Sequence, residues 1–523
     1  MKNNWMKGTV LLTLTAFLTK ILSMVYKVPY QNLVGDEGLY VFQQVYPLLG
    51  IYTTLNGLVL PTITSELLIE HQYSDDVKRF LKRRLWSFGL LSFALLFLGG
   101  NYIARAMDDR QLSTSIQIIG VAFLLLPPLS YLRAVHQTRP ETIHRVGISI
   151  TLEQLIRVGM IIGALFWFGH LNIYRISYLS YLLGMAGPVA GFLFLSMFKR
   201  QDQAASFLKL KNKPPYFRKA FYLFLSAGIL IIFQLIDSFI VLRSLLSAGT
   251  PPIEAMQLKG IFDRGLPIIQ SATFFVGAIV SSTIPQMIKY TEDKQRKNVF
   301  NHALFLVMAF SVPATVGLFL VMEDLNITLF LDNAGTQALQ ILALQVLFYP
   351  FIFLATSVLQ QEDRYSELLL AILAGIFTKV MTTGPLTIQM GIMGTAISSV
   401  AALSAMTLIY LLQFKSQIYQ KSFFNLLKIS FASLSMWLGV DYLRHLIPQH
   451  LYLTEGREFH AAFLVIQVGA GLAIYGIIML FFILLTRTGK RKKTKKKPGR
   501  PPVKKSQTQK AQPQKRQRPP QKK

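Results

Sequence analysis

Long apolar runs, each closed by a short polar or basic segment, recur along the whole chain and are too long to be strands. A helix needs about 20 predominantly apolar residues to cross the hydrocarbon core of a bilayer. Scanning on that rule predicts fourteen spans. Six lie near 8–30, 41–66, 85–107, 116–136, 146–168 and 175–197. The other eight lie near 218–246, 265–288, 301–322, 337–359, 367–388, 392–413, 424–446 and 460–485. Only Gln389-Met390-Gly391 separates 367–388 from 392–413, which predicts a tight turn there. The first run follows Met1-Lys2-Asn3-Asn4-Trp5-Met6-Lys7 in the manner of a signal peptide. It is too long for one, carries Lys20 and Lys27 and lacks a small-x-small cleavage site, so it reads as a retained span.

Loop charge orients these spans, because cytoplasmic loops carry the excess of Lys and Arg. With the N-terminus inside, the inside loops hold Lys78, Arg79, Lys82, Arg83 and Arg84, then Lys199, Arg200, Lys209, Lys211, Lys213, Arg218 and Lys219. Lys289, Lys294, Arg296 and Lys297 follow, then Lys415, Lys421 and Lys428. The opposite loops are short or acidic, such as Gly35-Asp36-Glu37-Gly38 and Glu323-Asp324. An even span count returns the C-terminus to the cytoplasm. Tyr46-Pro47 and Leu60-Pro61 bracket span 2 much as Leu266-Pro267 and Ile284-Pro285 bracket span 8, which suggests two parallel six-helix repeats. The expected fold is therefore an all-α polytopic membrane protein: lobes at 1–200 and 214–414, two additional helices at 422–486, and a disordered polybasic cytoplasmic tail at 487–523.

Composition sharpens this picture. Of 523 residues 52% are apolar and 15% charged, and the mean hydropathy is +0.42; a soluble protein carries about a quarter charged residues. The net charge is +29. From Arg487 onward there are 17 Lys or Arg and no acid, leaving about +12 for the body of the chain. The absence of cysteine excludes disulfides, thiolate metal sites and Cys nucleophiles. The eight His show no ligand spacing, and no Gly-Lys-Ser/Thr occurs, so neither a metal site nor ATP hydrolysis by this chain is expected. No cofactor and no catalytic role are expected either.

Ionisable side chains within spans cost at least ~2.5–3.5 kcal/mol each and mark pathways. Lys20 and Lys27 stand two turns apart on one face of span 1. Arg264 opens span 8 after Asp263, and Lys379 stands alone on span 11. Glu153 and Arg157 on span 5 form a self-neutralising i,i+4 pair. Arg243 on span 7 snorkels to the interface, an alternative that also applies to Lys27. Asp237 is a proton or cation site, or a partner for one of the lysines. Spans 1, 8 and 11 thus offer cations without sequence-local partners, which would line a cavity suited to a phosphate or pyrophosphate headgroup. The aromatic pairs Phe274-Phe275 and Phe481-Phe482 read as lipid-facing.

Thr19-Lys20-Ile21-Leu22-Ser23-Met24-Val25-Tyr26-Lys27-Val28-Pro29, then Leu33-Val34-Gly35-Asp36-Glu37-Gly38 and Tyr46-Pro47, resemble the opening of the polysaccharide-biosynthesis flippases of Gram-positive bacteria. That group is the stage V sporulation protein B, YtgP-like and MurJ-type branch of the MOP exporter superfamily. Phe262-Asp263-Arg264-Gly265-Leu266-Pro267 with Ile284-Pro285 resembles its span 8 signature. The resemblance covers roughly residues 5–485. It implies two six-helix lobes opening alternately to either side of the plasma membrane, and an undecaprenyl-pyrophosphate-linked sugar as cargo. It also implies cations on span 1 and at the start of span 8, carried here by Lys20, Lys27 and Arg264, with Asp36 at an acidic position after span 1. Asp237 and Lys379 are further cavity or gate candidates. The chain departs from the proteobacterial branch at Gly50-Ile51-Tyr52-Thr53, where that branch has arginines.

Three readings stay open beside the lipid II-like one. The same fold would serve another lipid-linked glycan, such as an exopolysaccharide or teichoic-acid unit. A cation-coupled drug exporter would need acids in the cavity. A membrane anchor would work through its tail, which is suited to anionic lipids, with no dedicated nucleic-acid role expected. Cell-wall synthesis proteins are further expected partners, and membrane potential or a monovalent cation is the expected energy source.

Overall fold

The computed structural model describes residues 26–198, 214–288, 292–447 and 456–495. Lys20 lies outside these residues, and the side chains of Phe274 and Phe275 lie outside the described side chains. The described residues are mostly helical and contain no strand. The chain enters through α1 (Lys27–Thr54), which passes through a π-turn at Leu55–Val59 into α2 (Leu60–Glu70). Next come α3 (Asp75–Ala106), a short 3-10 turn at Arg110–Leu112, α4 (Ser113–Gln137), α5 (Ile143–Phe168), α6 (Ile173–Gly184) and α7 (Ala186–Ser196). The second part holds α8 (Tyr216–Ser247), α9 (Pro252–Ile288), α10 (Asp293–Phe330), α11 (Thr336–Ala343), α12 (Gln345–Gln361) and α13 (Tyr365–Gln413). The last two are α14 (Gln420–His445) and α15 (Arg457–Lys495).

Among the described residues ten helical segments are long and apolar enough to cross a membrane, and the protein is a multi-pass membrane protein. Its polarity is inside out. Leu91, Leu98 and Tyr102 on α3 are 67%, 73% and 75% exposed, whereas Arg133, Arg264 and Lys379 are at most 1% exposed. Water would reverse that arrangement, and a hydrocarbon surround favours it. Phe481 on α15 likewise faces outward, as its apolar pattern predicts.

Two glycine breaks reshape the expected span boundaries. At Gly35 (φ 71°) α1 folds back on itself, so that Tyr30 packs on Phe42 with ring centroids 4.6 Å apart. Only glycine holds this backbone conformation without strain. The polar stretch 35–38 is therefore a one-residue corner, and the second span begins directly after it rather than at residue 41. At Gly391 (φ 59°) α13 does the same. Its 49 residues would otherwise extend about 70 Å, far beyond a bilayer. Thr387 meets Thr395 at 2.8 Å across this hairpin, whose corner falls within the expected 389–391 turn. A third boundary moves the other way. Helix α9 begins at Pro252, so Arg264 lies inside it rather than at its start.

Helix ends follow ordinary capping chemistry. The Ser74 hydroxyl accepts the Val77 amide, and Asp75 and Asp76 in the first turn of α3 complement its dipole. Asn172 caps α6 by accepting the Tyr174 amide at 2.9 Å. Helix α3 packs along α4, α5 against α6 and α7, α8 against α13, and α10 against α14. Helix α1 packs against α9, which brings residues from the two parts of the chain together. Among the described residues, those up to Gly476 form one compact unit and those from Ile477 a second. Helix α15 continues to Lys495 and so includes the start of the basic stretch.

Candidate functional site

Where α1 meets α9, the backbones almost touch. A Cβ on Gly260 would stand 2.1 Å from the Asp36 carbonyl oxygen. This approach delivers Asp36, just past the Gly35 corner, to Arg264 one turn further along α9. The buried guanidinium donates from Nε and Nη2 to the two Asp36 oxygens at 2.8 and 2.5 Å. From its other side it donates to the two Asp332 oxygens at 2.6 and 2.9 Å. Asn326 Oδ1 at 3.4 Å and the Phe330 ring at 5.4 Å complete its surroundings. All five guanidinium N–H groups are thereby engaged. Asp332 follows α10 in a loop outside the spans. Burial pushes its carboxyl up, but the hydrogen bonds from Arg264 and from the Ala334 amide outweigh it and hold the group below its ordinary value. Gln257 reaches Glu37 at 2.8 Å beside this cluster.

On the same helix Lys259 Nζ meets Asp263 Oδ1 at 2.5 Å, and both side chains are buried. Asp263 Oδ2 makes no hydrogen bond, and Lys27 and Asp237 both lie within its electrostatic reach. Lys27 Nζ stands 4.1 Å over the Tyr46 ring, a cation–π contact across the α1 hairpin. Gln44 of α1 donates to the Ser238 carbonyl at 2.7 Å, beside Asp237 on α8. The side-chain polar atoms of Gln43 and the Oε1 atoms of Gln31 and Gln44 are buried without protein partners. This interior holds more polar atoms than its own hydrogen bonds satisfy.

Lys379 is not isolated. Its Nζ lies 2.6 Å from Asp237 Oδ1 and donates to Ser399 Oγ at 2.6 Å and Ser398 Oγ at 3.1 Å. Of the three roles open to Asp237, the structure shows that of a partner for lysine. A cavity of about 20 Å³ adjoins the pair, lined by Asp237, Ser399, Gln234, Gln270 and Gln345 among apolar groups.

A further cluster sits among α4, α5 and α7. Glu153 accepts from Arg157 in the expected i,i+4 pair and also from Arg133 Nη2 at 2.6 Å. Arg133 reaches the Asn56 carbonyl at 3.2 Å, inside the π-turn, and Ser149 Oγ at 3.2 Å. The pair is thus a triad with one positive charge in excess. Arg243 is exposed, as snorkelling predicts, but it ends on Asp108 at 2.7 Å.

The structure therefore gathers Lys27, Asp36, Asp237, Arg264 and Lys379 into one interior and corrects the expectation of unpaired cations. Arg264 is paired with Asp36 and Asp332, and Lys379 with Asp237. Lys259, Asp332 and Arg133 were missed. The i,i+4 spacing of Lys259 and Asp263, and an arginine inside the apolar run 116–136, were available signals. Asp332 sits in a loop and gave none.

An all-helical, multi-pass protein with such a charged and under-satisfied interior has the architecture of a membrane transporter. The chain belongs to the polysaccharide biosynthesis protein family, whose family model matches residues 5–291. It is 32% identical over 433 residues to the uncharacterized membrane protein YabM of Bacillus subtilis, covering 80% of this chain and 81% of that one. Stage V sporulation protein B of the same organism is 23% identical, covering 93% and 97% of the two chains. Lipid II flippase MurJ of B. subtilis is 21% identical, covering 77% and 82%. Among solved structures the fold is similar to lipid II flippase MurJ in an inward closed conformation. The TM-score is 0.68 at 14% identity, covering 90% of this chain and 98% of that one. An inward-facing MATE family transporter of the MOP superfamily is similar at a TM-score of 0.54 and 14% identity, covering 76% and 95%.

Proposed function

We propose that the chain is a flippase. It carries an undecaprenyl-pyrophosphate-linked cell-wall precursor of the lipid II type from the inner to the outer leaflet of a bacterial plasma membrane. The observation that carries this reading is Arg264, a buried two-sided fork held by two carboxylates from distant parts of the chain. Guanidinium forks match phosphate oxygens as well as carboxylates. A pyrophosphate therefore competes with Asp36 and Asp332 for the same N–H groups, and its arrival releases the α1–α9 closure. Lys27, and Lys20 seven positions before it in the sequence, supply further positive charge. The Asp237–Lys379 pair holds α8 to α13 as a gate element. In this cycle the regions 1–200 and 214–414 act as two lobes rocking about the charged interior, with both termini cytoplasmic.

The relatives' names support this cargo class, since two are named for lipid II flipping or for sporulation, and the family is one of polysaccharide biosynthesis. One observation favours a different lipid-linked glycan. Gly50 and Tyr52 on α1 are buried and uncharged, at the stretch where the resemblance implies arginines in the proteobacterial branch, so fewer charges would face the cargo. The test is depletion of the protein in its host with a leaflet-resolved assay for lipid II. Accumulation on the cytoplasmic leaflet, rescued by wild type but not by Arg264→Ala or Lys27→Ala, supports the proposal. Normal lipid II with loss of a surface polymer moves the cargo to the other glycan, and full rescue by both variants overturns the cationic site.

A further inference from the structure

At the basic end of α3 only some of the positive charges are answered. Lys78 and Arg79 pair with Asp75 and Asp76 in the same turn. Lys82, Arg83 and Arg84 form no ion pair among the described residues. Lys82 and Arg83 are exposed, and Lys82 leans over the Tyr131 ring at 5.1 Å. Arg84 is half-buried and held on two sides. Phe80, Arg84 and Phe88 follow one another at four-residue intervals and so form one stripe along α3. Phe217 of α8 packs onto that stripe, with its ring centre 6.2 Å from that of Phe88. The Arg84 guanidinium carbon lies 5.3 Å from the Phe80 ring centre and 5.6 Å from that of Phe217. These cation–π contacts fix a group that an interfacial arginine usually leaves free to snorkel.

Aromatic rings accept no conventional hydrogen bond, so the guanidinium fork keeps its N–H donors. None of them meets an acceptor among the described residues. The depth of the group in the bilayer names the acceptor. Arg84 immediately precedes the apolar run of α3, and the neighbouring Trp86 is exposed, as suits the headgroup level. About one turn deeper, Leu91 on α3 and Phe221 on α8 are exposed apolar side chains fit for acyl chains. Phosphate oxygens are the acceptors that lipids present at the headgroup level, and a guanidinium fork matches them. The excess of Lys and Arg assigns this end of α3 to the inner leaflet. Exposed Lys82 and Arg83 favour a lipid of net negative charge over a zwitterionic one.

We propose that Arg84 is the phosphate contact of a binding site for one anionic phospholipid of the inner leaflet. Phe80 and Phe217 orient its guanidinium, and Lys82 and Arg83 supply the surrounding positive potential. Because Arg84 belongs to the first part of the chain and Phe217 to the second, the bound lipid steadies the seam between them. At the same seam Thr64 Oγ1 meets Tyr216 Oη at 3.0 Å and Glu66 pairs with Lys219. The site uses no residue of the charged interior and does not depend on the flippase reading.

The test is native mass spectrometry of the purified full chain, titrated in detergent with dioleoyl phosphatidylglycerol or dioleoyl phosphatidylcholine. The expected result is one phosphatidylglycerol retained at a severalfold lower lipid concentration than phosphatidylcholine. Arg84→Gln abolishes that preference. Phe217→Leu, which keeps every charge and removes one ring, weakens it severalfold and carries the test should Arg84→Gln fail to fold. A Lys82→Gln/Arg83→Gln variant loses two charges rather than one and yet keeps most of the preference. Equal retention of the two lipids by wild type overturns the proposal, as does a preference that Arg84→Gln and Phe217→Leu leave unchanged. A double variant that loses as much as Arg84→Gln reduces the site to a diffuse basic surface and also overturns it. Displacement of phosphatidylglycerol by equimolar undecaprenyl diphosphate, or by millimolar inorganic phosphate, reassigns the site to that ligand and overturns the phospholipid.

Discussion

Arg264 and Asp36 stand 228 positions apart in the sequence and share a two-pronged hydrogen bond, Nε to Oδ1 at 2.8 Å and Nη2 to Oδ2 at 2.5 Å. A contact of this kind between a hairpin corner and a helix interior makes the closed arrangement of α1 and α9 a definite state with a chemical latch.

Trapping that latch should stop transport. Glu37 and Gln257 meet at 2.8 Å beside it, and the chain has no native cysteine to interfere. A Glu37→Cys/Gln257→Cys variant bridged by a short reducible bis-thiol reagent is expected to lose cargo movement and to regain it on reduction. A bridged protein that still moves cargo would show that this contact persists throughout the cycle.

Gly260→Ala should prise α1 from α9, because its Cβ meets the backbone oxygen of Asp36 at 2.1 Å and a backbone atom cannot rotate away. The yield of the 37–257 bridge should fall severalfold. Gly35→Ala has nothing within 4 Å of its Cβ. It suffers only the strain of its positive φ, about 1–3 kcal/mol, seen as a lowered Tm.

The Lys379–Asp237 pair should show opposite behaviour for single and double changes. Removing either partner strands a buried charge, which costs about 3–5 kcal/mol. Lys379→Met and Asp237→Asn should each lower Tm sharply, and the combined variant should recover much of the loss. A double variant as unstable as the sum of the singles would rule out the pairing as the source.

Asp332 gives a pH dependence with a definite sign. Its carboxyl is held below the ordinary value, so its contribution is complete above the unfolded value of about 3.9 and is lost as pH falls through the lower folded value. The Tm difference between wild type and Asp332→Asn should be flat from neutral pH down to about pH 5 and should close below about pH 4. A difference that grows on acidification would contradict the Arg264 pairing.

Much of this architecture is legible in the residue order, because hydrocarbon imposes a simple rule on helix length and polarity. The apolar runs located the helices, and the 389–391 segment located the hairpin that Gly391 makes. Gly35 reads as part of a polar loop, since nothing in its neighbours announces that the chain turns within a single residue. The site was only half visible. Cations inside apolar runs stand out one by one, which found Lys27, Arg264 and Lys379. Their partners come from elsewhere: Asp237 reaches Lys379 across α8 and α13, and Asp332 arrives from a loop. A partner chosen by packing leaves no periodic trace, so charges that are paired in space looked solitary in sequence.

The pairing has an electrical consequence. Lys27, Lys259, Arg264 and Lys379 are matched in number by Asp36, Asp237, Asp263 and Asp332, so this set carries no net charge. Carrying it bodily through the bilayer field performs no electrical work. A membrane voltage is worth about 2.3 kcal/mol per unit charge at 100 mV. For this set, voltage would act only on whatever net charge the cargo or a bound ion brings in.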